Sequence, residues 1–115
     1  MQMFKVFVLL VLTTMAGDAS AQPKQKSICP ERPDSQVKTV EVFDGPVADM
    51  ATLVPDESTN TGAYWTLDYV YTAGRTVNIR CGYTDKTSVD INLAEKIQKC
   101  RYRIDAKKKI EVFCR

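Results

Sequence analysis

The chain contains no histidine. That absence alone removes the usual serine and cysteine triads and every histidine-ligated metal site. No two cysteines form a Cys-x-x-Cys pair, so Cys29, Cys81, Cys100 and Cys114 do not read as a zinc site. Neither a Gly-x-Gly-x-x-Gly nor a phosphate-loop pattern occurs. No metal and no cofactor is therefore expected. An excess of one charge is missing too: 16 Lys and Arg stand against 14 Asp and Glu, a formal +2, which argues against a partner that is nucleic acid or a membrane surface. The basic run Lys107-Lys108-Lys109 lies between two β-like segments and reads as a solvated turn. Finally, no apolar stretch approaches the roughly 18 to 20 residues needed to cross a bilayer.

What the first residues do contain is a leader profile. A single basic residue, Lys5, precedes an apolar run from Val6 to Leu12 that fades through Thr13, Thr14 and Met15. Ala19-Ser20-Ala21 then supplies the small residues that a signal peptidase accepts. Residues 1–21 are expected to be a signal peptide cleaved after Ala21, with export to the periplasm and no membrane insertion afterwards. Loss of Lys5 and Asp18 with that segment leaves the net charge unchanged at +2.

All four cysteines fall in the remaining part, and an even count in a short exported chain is the sign of two disulfides. A domain this small needs such staples, because its core is modest. Three pairings are possible, and spacing alone does not choose among them.

Residues 22–36 are polar and carry Pro23, Pro30 and Pro33, which predicts an extended arm tied to the body through Cys29. Residues 37–115 read as one β-rich domain. Val37 to Phe43 is a strand stopped by Asp44-Gly45-Pro46. From Pro46 to Val54 the apolar residues Val47, Met50, Ala51 and Val54 recur at helical spacing, which predicts a short helix ending before Pro55. After a polar loop from Asp56 to Gly62, Tyr64 to Tyr71 reads as a strand with Trp65, Leu67, Tyr69 and Tyr71 on its core face. Val77 to Tyr83 and Val89 to Leu93 alternate in the same way. Cys100 to Ile104 and Lys109 to Cys114 form a closing hairpin, which would bring Cys100 and Cys114 together near its open end and so favours Cys100 with Cys114 and Cys29 with Cys81. The expected fold is mainly β (α+β): a small antiparallel meander with one short helix and two disulfides.

No residue pattern in this chain carries catalysis. Asp44, Asp49, Asp56, Glu57 and Asp68 gather in one region, but acidic residues at loops and element starts usually cap and solvate. The expectation is a protein that binds and is not an enzyme. Binding points instead to the polar loop from Pro55 to Ala63 and the aromatic at its end. Tyr64 lies on the strand face opposite the core set, and Asp56, Glu57 and Tyr64 are the expected partner contacts.

Several features in sequence order carry a resemblance: a leader, Cys29-Pro30, Val42-Phe43-Asp44-Gly45-Pro46, Met50-Ala51-x-Leu53-x-Pro55-Asp56, Trp65-x-Leu67, Cys81-Gly82-Tyr83, and the closing Cys100 and Cys114. In these the chain resembles small exported enterobacterial proteins of type VI secretion gene clusters. The resemblance implies a periplasmic immunity protein whose partner is a cognate effector acting on peptidoglycan, in the manner of an L,D-transpeptidase or L,D-carboxypeptidase. Competing readings are a periplasmic lysozyme inhibitor, which would need a concentrated acidic face, and a non-catalytic envelope binding protein.

Overall fold

The computed structural model describes residues 25–115. The predicted leader, 1–21, and the first residues of the arm lie outside the described residues. Seven strands form two antiparallel sheets. One contains β1 (Val37–Asp44), β4 (Val77–Tyr83) and β5 (Ser88–Leu93) in the order β1-β4-β5. The other contains β2 (Glu57–Thr59), β3 (Gly62–Thr66), β6 (Lys99–Ile104) and β7 (Ile110–Cys114) in the order β2-β3-β6-β7. The predicted meander is thus divided: every neighbouring pair is antiparallel, but the chain leaves the first sheet after β1 and returns to it at β4.

Alternation determines which side chains face inward. Along β4 the buried residues are Val77, Ile79, Cys81 and Tyr83, with half-exposed residues between them. On the second sheet Ala63, Trp65, Cys100 and Val112 face the same core. Strands half-buried in this way have one face on the core and one in water. Both disulfides close on this arrangement with the favoured pairing, Cys29–Cys81 and Cys100–Cys114. Cys100 and Cys114 are direct cross-strand partners in the β6–β7 hairpin.

The arm spans both sheets. The Ile28 N–H donates to the Val112 carbonyl on β7, and the Val112 N–H donates to Ser27 Oγ, each at 2.9 Å. One residue on, Cys29 is bonded to Cys81 of β4. The chain then runs along the β4–β5 turn, where Ser35 Oγ pairs with Thr84 Oγ1 and the Thr84 N–H donates to the Gln36 carbonyl.

Two sequence expectations are corrected. Pro46 to Val54 is not an α-helix. Only a single 3-10 turn forms, Val47–Asp49, and Met50 ends it with φ of +53°. Beyond that point the chain is extended along β1: the Asp44 N–H donates to the Ala51 carbonyl, and the Leu53 N–H to the Val42 carbonyl. Met50 and Val54, half of the supposed apolar stripe, are 77% and 85% exposed. The helix is elsewhere. Tyr64 to Tyr71 is not one strand: β3 ends at Thr66, and α1 (Asp68–Thr72) follows at once. Trp65 and Leu67 are buried as expected, but Tyr69 is 49% exposed and Val70 takes its place in the core. Leu67, Val70 and Tyr71 have helical i, i+3, i+4 spacing, and the Tyr71 hydroxyl donates to the Leu93 carbonyl at 2.8 Å.

Candidate functional site

The outward face of the four-stranded sheet carries a row of charged and aromatic side chains. Register places Glu57 opposite Tyr64, and Tyr64 opposite Arg101, in one row across β2, β3 and β6. Phe113 of β7 completes it, opposite Arg101. Along β6, Lys99, Arg101 and Arg103 all point outward, because Cys100 and the intervening positions turn to the core.

Each of the three cations lies over an aromatic ring. Lys99 Nζ stands 4.0 Å from the centre of Tyr64, and the guanidinium groups of Arg101 and Arg103 stand 5.0 Å and 5.3 Å from the centre of Phe113. Ring faces attract cations and hold long side chains in place. Arg103 is also paired with Glu111 at 3.3 Å. Among the described residues, no carboxylate lies within ion-pair distance of Lys99 or Arg101. A shallow groove of about 240 Å³ runs beside this row, lined by Glu57, Gly62, Tyr64, Lys99 and Arg101 among others. Gly62 keeps β3 and β6 close there: a Cβ at that position would collide with the Tyr102 carbonyl oxygen.

The three expected contact residues are brought together, in different roles. Glu57 is exposed and Tyr64 half-buried on the outward face. Asp56 closes the hairpin: its carboxylate accepts from the Thr66 N–H at 2.6 Å, while its own N–H donates to the Tyr64 carbonyl at 2.9 Å. Lys99 and Arg101, which the sequence reading did not single out, share this face, with Phe113 buried beneath the Arg101 and Arg103 guanidinium groups. Their signal was present in Lys99-Cys100-Arg101-Tyr102-Arg103-Ile104, where cations alternate strictly with core residues.

Two of the gathered acidic residues are engaged in structural bonds. Asp44 is held by Arg75 through two bonds of 2.6 and 3.0 Å, and Asp56 is occupied as above. Among the described residues there is no group of three or more His, Cys, Asp or Glu able to hold a metal ion, and no helix long and apolar enough to cross a membrane.

A second concavity, of about 520 Å³, lies between the arm and β4. Its polar groups are already matched to one another. Glu31 pairs with Lys109 at 2.7 Å, the Arg32 guanidinium lies 4.2 Å from the centre of the Tyr83 ring, and the Tyr83 hydroxyl donates to the Pro30 carbonyl.

These ion pairs set the response to pH. Its bond to Lys109 lowers the Glu31 pKa, bonds from Thr87 lower that of Asp85, and the Arg80 guanidinium lowers that of Asp90. A carboxylate with a lowered folded pKa contributes stability that is complete above its unfolded value and is lost as pH falls through the folded one. With no histidine, no side chain has an ordinary pKa between about 5 and 8. Denaturant midpoints should therefore be flat across that interval and decline only below about pH 4, by a small amount because the pairs are exposed and screened. A step near pH 6.5 would contradict this reading.

The fold defines a class: a small, disulfide-stapled, mainly β domain of two antiparallel sheets with one short helix. A family model described as "Type VI secretion system Tli immunity protein" matches residues 31–115. The chain belongs to that family. No curated protein and no solved structure matches it.

Proposed function

We propose that this chain is a periplasmic immunity protein that binds a type VI secretion effector and blocks its activity in the envelope. The observation that carries the reading is the family match, which spans the arm from Glu31 and the whole two-sheet body. Supporting it, two disulfides fit an oxidising compartment, and the leader profile of residues 1–21 supplies the route there. Neutralising an enzyme by covering it needs a preorganised surface, and cross-linked sheets provide one with little conformational entropy left to lose.

Peptidoglycan is the effector substrate implied by the resemblance. The alternative of lysozyme inhibition is disfavoured by charge: lysozyme is strongly basic, and the most developed face here carries Lys99, Arg101 and Arg103.

The test is survival. The effector encoded in the same gene cluster is directed to the periplasm of a sensitive host, with and without this chain. Protection is expected from the full-length chain and should vanish when residues 1–21 are deleted. Failure of the full-length chain to protect, with both proteins shown to be exported and folded, would refute the reading. Muropeptide release and phospholipid loss, measured in the unprotected cells, distinguish a wall-cleaving effector from a membrane-cleaving one.

A further inference from the structure

We infer that the outward face of the four-stranded sheet is the effector-binding surface, and that its occupant is an acidic segment of the effector that brings at least two carboxylates to Lys99 and Arg101. The inference rests on the immunity reading above and adds which surface binds and what chemistry it meets.

Charge complementarity carries it. Lys99 and Arg101 are successive outward residues of one strand, which sets their backbones about 6.7 Å apart at the usual rise. Lys99 leans over Tyr64 of β3 and Arg101 over Phe113 of β7, so the two charges stand on either side of β6, and an acidic segment that crosses the strand meets both. Neither cation is within ion-pair distance of a carboxylate among the described residues, whereas Arg103 has Glu111, Arg80 has Asp90 and Arg75 has Asp44. On this face, then, the next cation along the strand is internally matched and these two are left over.

Preorganisation adds to the case. Lys99 rests on Tyr64 and Arg101 on Phe113, so much of the side-chain entropy normally lost on binding is already spent. Tyr and Arg together are the residues enriched at binding hot spots. Glu57 and Glu111 stand on either flank of the cationic pair, across β2 and on β7. Acidic residues there repel a carboxylate displaced sideways, which fixes where the segment lies.

The larger concavity beside the arm lacks this property, because Glu31, Arg32, Tyr83 and Lys109 are already engaged with one another. Exposed Met50 and Val54 supply apolar area at another part of the surface, with nothing in the structure to specify what would cover them.

The experiment uses the purified effector and the chain without residues 1–21, with affinity measured by calorimetry at two or more salt concentrations. Arg101→Glu and Lys99→Glu are each expected to weaken binding at least about tenfold, and the double reversal about a hundredfold or more. Lys86→Glu, in the exposed β4–β5 turn, should leave affinity unchanged. Wild-type affinity should fall with salt, and Arg101→Gln should flatten that dependence. Unchanged thermal midpoints of the variants show that folding is intact; where a reversal lowers the midpoint, the milder Arg101→Gln and Lys99→Gln take its place.

If wild type binds and protects but both reversals bind equally well, the surface assignment is wrong and the immunity reading stands. If wild type binds no effector at all, both fall. Binding of anionic phospholipid vesicles that Lys99→Glu and Arg101→Glu abolish, with effector affinity untouched, would assign the face to lipid and overturn the inference.

Discussion

Replacing Cys29 and Cys81 together with alanine is expected to destabilise the domain by about 4 kcal/mol, against about 3 kcal/mol for the Cys100 and Cys114 pair. The difference follows from loop length. The first bridge closes 52 residues and the second 14, and the entropy removed from the unfolded chain rises with the logarithm of that number. Structure widens the gap. Cys100 and Cys114 are already cross-strand partners in a hairpin whose turn is bonded by Asp105, whose carboxylate accepts from the N–H groups of Lys107 and Lys109. Cys29 has no such local support. It anchors an arm held otherwise by Ile28 on β7, the Tyr83 bond to Pro30, the exposed Glu31–Lys109 pair, Arg32 over Tyr83 and a few contacts near Thr84. A small domain has only about 5 to 15 kcal/mol in total, so losing both bridges removes most or all of it. Urea titration gives the ordering, and limited proteolysis should show cleavage ahead of Val37 first in the Cys29→Ala/Cys81→Ala variant. A gap of only about 1 kcal/mol would show that the arm adds nothing beyond chain entropy, and equal losses would overturn the loop-length account itself. The same numbers predict that this protein folds poorly under reducing conditions.

The strands were readable from the sequence wherever one face is buried and the other wet. Val77 to Tyr83 alternates without exception, and the closing hairpin could be placed from its two cysteines and the polar turn between them. That same alternation contained the cationic row, since fixing Cys100 inward turns Lys99 and Arg101 outward. The misreadings share a cause: over eight or nine residues, periods of 2 and 3.6 coincide at enough positions to be confused. Trp65, Leu67, Tyr69 and Tyr71 satisfy a strand, and Leu67, Val70 and Tyr71 satisfy a helix. The Gly74 that follows, with φ of +80°, was the available mark of a helix end. From Pro46 to Val54 the apolar spacing was real but local. It lost to pairing with the end of β1, where Thr52 bridges Phe43 across the Gly45-Pro46 turn, a contact that apolar spacing does not register. Division into two sheets was equally out of reach, because the return from β3 to β4 depends on α1, which the strand reading had erased.

Trp65→Ala should cost about 3 to 5 kcal/mol, more than an average core truncation in so small a domain. Trp65 is 3% exposed and is the only tryptophan in the chain. Its ring packs against Tyr102 with centroids 5.7 Å apart, and its indole N–H donates to the Leu53 carbonyl at 3.0 Å. Leu53 in turn donates its N–H to Val42 of β1. A single side chain on the four-stranded sheet therefore holds a segment that is bonded to the three-stranded one. Removal opens a cavity and also leaves the Leu53 carbonyl without its donor. Trp65→Phe separates the two effects: most of the apolar area remains, so its cost should be about 1 kcal/mol, the loss of one partly buried hydrogen bond. Far-UV circular dichroism in urea measures both, since fluorescence is lost with the residue. Amide exchange at Leu53 should speed up in each variant, because the strut that presses the segment onto β1 is gone in both. Stability loss with unchanged exchange at Leu53 would mean that Trp65 fills the core without tying the sheets together.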